Sequence, residues 1–234
     1  MIKKNSNNIQ TGNIFYFYFL LINIVSELIF RNSFFVFKPL MLFILIVLYW
    51  KTSLKKNNLF FIIFSLLLFS DLFFIYNTNI TFLYGSVLFI VYELVLAYYI
   101  IKLIKLKDFF PLLIAIIPFH LIFFCLFEVS NVVTNSNFYI IVFQYNLVSI
   151  IGCITLSNYM ISNTYKYKKL ILFGLLFVTL NSIVFVQKYW ITTINIMSYN
   201  VVTMILNATV NYFFYKWVVD IEKQSLVIQN LNYD

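Results

Sequence analysis

Charged residues are scarce in this sequence: only 10% of its 234 residues are Asp, Glu, Lys or Arg. Hydrophobic residues make up 63% of the chain, and the mean hydropathy is +0.93. A soluble globule of this length needs more polar surface than these residues supply. The composition therefore excludes an ordinary soluble domain and predicts an integral membrane protein.

Metal ligands and chain breakers are also few, since the sequence holds four glycines, three prolines, two cysteines and one histidine. No glycine-rich phosphate loop or nucleophile elbow occurs in it. Cys125 and Cys153 lack metal-ligand spacing with His120, so we predict no metal and no cofactor. His120, two residues after Pro118, is open to two interpretations: a hydrogen-bonded histidine within the bundle, or a catalytic base.

Acidic residues number eight against sixteen basic ones, which gives a net charge of +8. The lysines lie in short clusters between apolar runs and do not gather on one face of a folded domain. This pattern is typical of membrane topology and not of a phosphate-binding surface. We therefore predict no nucleic-acid partner.

Long apolar runs are what the sequence has in abundance. Each bilayer crossing needs about 20 apolar residues, and a lipid-facing backbone must satisfy its own hydrogen bonds as a helix. We therefore predict an all-α, polytopic bundle of about eight transmembrane helices over 14-217, between cytoplasmic tails at 1-13 and 218-234. The expected spans are 14-30, 34-50, 59-76, 80-101, 109-128, 138-161, 169-187 and 190-217.

The positive charges predict the orientation of these spans. With the N-terminus inside, three basic residues face out, namely Arg31, Lys38 and Lys188, and thirteen face in. Both termini are then cytoplasmic. Trp50 and Trp217 are expected in an aromatic belt at the inner interface. The abundance of Ile, Asn, Lys, Phe and Tyr is typical of an AT-rich bacterial genome, so we expect the bacterial inner membrane.

Ionisable groups inside a span cost several kcal/mol unless they are paired or hydrated, which makes them candidates for function. Glu27, Lys38 and Asp71 have similar depths near the outer ends of their spans. They form either a helix–helix tether or a pocket for the headgroup of an amphiphile. Glu93 lies in the middle of the fourth span, on one helical face with Ser86 and Ala97.

Uncharged polar side chains form stripes on two spans. Those on the eighth are Thr193, Asn200, Asn207 and Asn211, and those on the sixth are Gln144, Thr155 and Asn158. Such a stripe either lines a cavity or forms hydrogen bonds across the bundle.

Several motifs together resemble the YhhN-like lysoplasmalogenase family of small polytopic membrane proteins. The resemblance covers essentially the whole chain, and its motifs are Lys38-Pro39-Leu40, the segment from Phe64 to Ser70-Asp71, and Tyr84-Gly85 with Phe89. The chain departs from the family pattern in three places. Ser70 replaces the glycine of a Gly-Asp pair, Glu93 stands where the family has histidine, and Asn158 stands where it has a second aspartate.

The resemblance implies hydrolysis of the vinyl ether of a lysoplasmalogen to a fatty aldehyde and a glycerophospho-alcohol. One carboxylic acid would protonate the alkene carbon, and a carboxylate would stabilise the oxocarbenium ion that water attacks. An amide at Asn158 cannot deliver that proton. On this interpretation Asp71 and Glu93 form the catalytic pair, and three residues bind or orient the substrate, namely Lys38, Asn158 and Tyr84.

The expected partner is therefore a membrane lipid, either a lysophospholipid or a lysoplasmalogen. The alternative is a non-catalytic lipid-binding, sensor or transporter-like protein that has lost the second family aspartate. A transporter proper is disfavoured, because the sequence shows no internal repeat.

Overall fold

The chain is all-helical in the computed structural model, which describes residues 2–29, 34–75, 78–104, 110–129, 138–161, 165–189 and 196–231. These ranges hold no strand, so the predicted all-α class is confirmed. The eight helices in them are α1 (Ile2–Ile29), α2 (Phe34–Thr52), α3 (Asn58–Ile75), α4 (Asn79–Ile104), α5 (Phe110–Val129), α6 (Phe138–Ile161), α7 (Tyr165–Tyr189) and α8 (Ile196–Leu231).

Short polar side chains begin two of the central helices. The Asn57 side-chain oxygen accepts a hydrogen bond from the Leu59 amide at 3.1 Å at the start of α3. At the start of α4, the amides of Thr78 and Thr81 each donate to the other residue's hydroxyl, at 3.0 and 3.2 Å. Both arrangements satisfy amides that a helix leaves unbonded in its first turn.

Six helices form a closed ring, in which α2 packs on α3, α3 on α4, α4 on α6, α6 on α7, α7 on α8, and α8 on α2. Outside the ring, α1 packs against α2 and α8, and α5 packs against α6 and α7. Within the first four helices and within the last four, each helix packs on the next.

The outer surface of the bundle is apolar. Large hydrophobic side chains are exposed along most of the helices, for example Phe110 on α5 and Tyr139 on α6. Five helices of the described ranges are long and apolar enough to cross a membrane: Asn58–Ile75, Ile80–Ile104, Phe110–Glu128, Phe138–Ile161 and Lys168–Tyr189. Exposed apolar helices of this length are typical of a protein that uses lipid as its solvent.

The C-terminal part of α8 is joined to the connection between α2 and α3. The Glu222 carboxylate accepts hydrogen bonds from the Tyr49 hydroxyl at 2.5 Å and from the Ser53 hydroxyl at 2.6 Å. The helix continues to Leu231, well beyond the expected end of the span at 217. Trp217 is fully buried, so its expected place in an interfacial belt is wrong; Trp50 is exposed.

Candidate functional site

A cavity of about 590 Å³ lies inside the ring, with walls from α2, α3, α4, α6, α7 and α8. Ligand-binding cavities in proteins span about 300–1,000 Å³, so this one is large enough for a small organic ligand or the head of a lipid. Its lining residues belong to the half of the bundle where α2, α4, α6 and α8 begin and α3 and α7 end.

An ion pair stands in the cavity wall. Lys38 on α2 donates from Nζ to Asp71 Oδ1 on α3 at 2.5 Å. Asp71 is only 4% exposed, and its second carboxylate oxygen, Oδ2, has no hydrogen-bond partner among the described residues. The neighbouring Ser70 donates its hydroxyl to the carbonyl of Gly85 on α4 at 2.9 Å. Three motifs that are distant in sequence therefore meet here.

Primary amides line much of the remaining wall. The six are Gln144 on α6, Asn181 and Gln187 on α7, and Asn200, Asn207 and Asn211 on α8. Two pairs of them are hydrogen bonded: Gln187 donates to Asn200, and Asn211 donates to Asn207, each at 3.1 Å. The stripe on α8 therefore lines a cavity and also forms hydrogen bonds, so both interpretations of it hold in part. Thr193 lies outside the described residues.

Asn181 is a cavity residue that the sequence analysis did not single out. On α7 the cavity-lining positions include Phe177, Asn181 and Val184, and on α3 they are Leu67, Asp71 and Phe74. Both sets have the spacing i, i+4, i+7. Asn181 therefore occupies the position on α7 that Asp71 occupies on α3. Comparing the polar residues of the third and seventh spans in the sequence would have indicated Asn181 as a candidate cavity residue.

Glu93 is fully buried, and within the described ranges neither of its carboxylate oxygens has a hydrogen-bond partner. Its neighbour Tyr92 lines the cavity, but Glu93 itself is not part of the wall. Glu93 lies seven residues beyond Ser86 on the same face of α4, which corresponds to about 10 Å along the helix. The structure therefore does not place Glu93 beside Asp71 in the cavity wall.

Two further residues of the expected site are also outside the cavity wall. Asn158 is buried within α6, and Tyr84 is 55% exposed on α4, where its ring packs near Phe73. The side chain of Glu27 lies outside the described residues. Of the five expected site residues, the structure thus brings Lys38 and Asp71 together, whereas Glu93, Asn158 and Tyr84 are not among the residues that line the cavity.

His120 lies away from the cavity. Its Nε2 atom is 2.9 Å from the side-chain oxygen of Asn146 on α6, a contact between helices that favours the hydrogen-bonded histidine over the catalytic base. Within the described part of the chain, no group of three or more His, Cys, Asp or Glu side chains is arranged to hold a metal ion.

Comparisons with protein-family models, curated proteins and solved structures found no match. The resemblance to the YhhN-like family therefore rests on the motifs of this sequence alone. Independently of it, the chain is a helical membrane-type protein with an amide-lined cavity, and one ion pair lies in the described wall of that cavity.

Proposed function

We propose that this chain is a YhhN-like integral membrane protein that binds a single-chain phospholipid in its cavity and hydrolyses the vinyl ether of that lipid. It crosses the membrane eight times with both termini in the cytoplasm. With this orientation the cavity lies in the outer half of the bilayer. It lies where α2, α4, α6 and α8 begin and where α3 and α7 end, and all of these are outer ends of the predicted spans.

The placement of Asp71 in the cavity wall is the observation that supports this proposal most directly. Among the described residues that line the cavity, Asp71 is the one with a carboxylate, and one of its oxygens has no partner. A buried carboxylate in a membrane span is costly, and such groups typically mark a functional site. Lys38 balances the charge of Asp71, which offsets part of the cost of keeping that carboxylate in the wall.

The chemistry would proceed through proton transfer and hydration. A proton adds to the alkene carbon of the vinyl ether, and water attacks the oxocarbenium ion and releases a proton. The resulting hemiacetal then breaks to a fatty aldehyde and an alcohol. Asp71 would stabilise the cation and accept the proton from water, and Asn181 would orient that water. Glu93 is not a wall residue, so it would supply the alkene's proton through Tyr92, which lines the cavity within electrostatic range of both carboxylates.

A second candidate function is lipid binding without turnover. Two placements favour it: Glu93 is not part of the cavity wall, and Asn158 replaces the second family aspartate with an amide that also lies outside the wall. On this alternative the cavity binds the lipid, and Glu93→Gln changes stability or partner binding alone.

Aldehyde release separates the two candidates. The purified protein is incubated with lysoplasmenylethanolamine in detergent, and the fatty aldehyde is quantified over time. We expect release by the wild type and a loss of about 100-fold or more in Asp71→Asn, since general acid–base groups contribute about 10²–10⁴-fold to rate.

Asp220→Asn is the matched control, because Asp220 is paired with Lys169 and is 39% exposed, outside the cavity wall. This variant is expected to keep the wild-type rate. Equal release from Asp71→Asn would overturn the role of Asp71, and no release from the wild type would leave the non-catalytic function in its place.

A further inference from the structure

The cavity holds a second lysine at the junction of α7 and α8. Lys188 lines the wall, and its Nζ atom is 3.2 Å from the centre of the Phe82 ring on α4. A cation over an aromatic face is held there by the ring's negative charge density. The contact therefore keeps the ammonium group of Lys188 at the cavity wall.

Lys188 has no carboxylate partner among the described residues. Two ion pairs among them are Lys38–Asp71 in the cavity and Lys169–Asp220 outside it, and neither includes Lys188. The described cavity wall thus carries two lysines against one carboxylate, and that carboxylate is already bonded to Lys38. An anionic ligand would find an unmatched cation here, whereas a ligand ammonium group would find no unmatched anion.

The amides of the cavity wall suit a ligand with hydroxyl groups. A primary amide has two N–H donors and an oxygen with two lone pairs. The bond from Asn211 to Asn207 uses one donor of the first and one lone pair of the second, so the pair keeps capacity of both kinds. Hydroxyl groups, which donate and accept, match such a surface better than a methylated amine does.

We propose that the cavity selects a lipid headgroup with an anionic phosphate and free hydroxyls, of the phosphoglycerol class, over headgroups that carry an amine. Lys188 binds the phosphate, and the amides of α7 and α8 bind the hydroxyls. This inference rests on the proposed function, since it names the headgroup of the lipid that the cavity binds.

Equilibrium binding to the purified full chain in a nonionic detergent tests the proposal. The probes are lysophosphatidylglycerol, lysophosphatidylethanolamine and lysophosphatidylcholine with one and the same acyl chain, so that the headgroup is the one variable. The glycerol lipid has a net charge of −1, whereas the positive amine leaves the other two lipids net neutral. We expect the glycerol lipid to bind about tenfold more tightly, because no ligand cation then opposes Lys188.

Three variants assign the preference to Lys188. Lys188→Met is expected to reduce the preference for the net-anionic glycerol lipid to the part that the amides provide, and Lys188→Arg is expected to keep the full preference. Lys102→Met is the matched control, because Lys102 also lies near an aromatic ring, that of Tyr98 at 5.9 Å, but near the opposite end of α4. It is expected to keep the wild-type preference.

Each outcome decides between the two proposals. Equal binding of all three lipids by the wild type, or an unchanged preference in Lys188→Met, would overturn the headgroup inference alone. Failure of every lysophospholipid to bind would overturn the proposed function with it. Acyl-free glycerophosphoglycerol is the last probe. If it binds as tightly as the lipid, the headgroup inference holds but the ligand is a soluble phosphodiester and not a lipid.

Discussion

At the scale of single residues, the Lys38–Asp71 pair both joins α2 to α3 and lines the cavity. Lys38→Met would leave a 4%-exposed carboxylate without its cation. We expect this change to lower the stability of the protein by about 3 kcal/mol, because breaking a buried ion pair leaves an uncompensated charge. The unfolding temperature in detergent, measured by intrinsic fluorescence, would show the loss.

Two comparisons show whether charge is the cause. Lys169→Met removes the other described ion pair, whose side chains are 32% and 39% exposed, and should change stability little. The double variant Lys38→Met with Asp71→Asn should recover most of the loss, because no charge remains buried. If the double variant is as unstable as Lys38→Met, packing of the lysine stem and not charge is responsible.

At the scale of helices, the close packing of α6 against α7 depends on Gly174. A Cβ atom built at Gly174 would lie 2.6 Å from the Cβ atom of Thr155, which a helix cannot avoid by rotating a side chain. We therefore expect Gly174→Ala to separate α6 from α7 and to lower the unfolding temperature. The overpacking cost is typically about 1–3 kcal/mol.

The neighbouring residue and a second glycine provide the controls. Combining Gly174→Ala with Thr155→Gly removes the clash and should restore part of the stability, whereas Thr155→Ala keeps a Cβ atom in place and should not. Gly12→Ala meets only the end of the flexible Leu48 side chain and should be tolerated. A fully stable Gly174→Ala protein would show that the two helices are not held this closely.

At the scale of the whole molecule, the proposed topology places residue 135 outside and residue 224 inside the cell. A background without native cysteines is needed; Cys153→Ser keeps a donor for the Leu112 carbonyl, which the thiol now contacts at 2.9 Å, and Cys125→Ser completes it. In this background, Asn135→Cys should react with a membrane-impermeant maleimide in intact cells.

Gln224→Cys should react with the same reagent only after the membrane is permeabilised. Labelling of both positions in intact cells would contradict a cytoplasmic C-terminus. It would also contradict the count of eight crossings. With the N-terminus in the cytoplasm, a C-terminus outside the cell requires an odd number of crossings.

Much of the helical architecture could be predicted at this whole-molecule scale. The span starts predicted at 34 and 138 are the first residues of α2 and α6, and the span end predicted at 161 is the last residue of α6. These boundaries could be predicted because short polar breaks interrupt the apolar runs there. The span predicted to end at 217 continues as helix to Leu231, through most of the segment expected as a cytoplasmic tail. Mixed charge beyond Trp217 resembles a solvent-exposed tail, and the burial of Glu222 depends on Tyr49 and Ser53, far away in sequence.

The candidate site could be predicted only in part. Depth along each span brought Lys38 and Asp71 to the same level, and helical periodicity placed Asn200, Asn207 and Asn211 on one face. Neither argument specifies which helices are neighbours or how each rotates about its axis. Glu93, Asn158 and Tyr84 were grouped with Asp71 on family likeness, and they are not among the residues that line the cavity.

Composition and the spacing of polar breaks determined by themselves that this chain is a helical membrane protein, because hydrocarbon tolerates few other backbone arrangements. Which polar groups share a cavity was decided by the tertiary structure. In lipid, rotating a helix about its axis replaces one apolar side chain at the surface by another at little cost. Specific contacts therefore decide which helix faces meet: the close packing of Gly174 on Thr155 for α6 and α7, and the Lys38–Asp71 pair for α2 and α3.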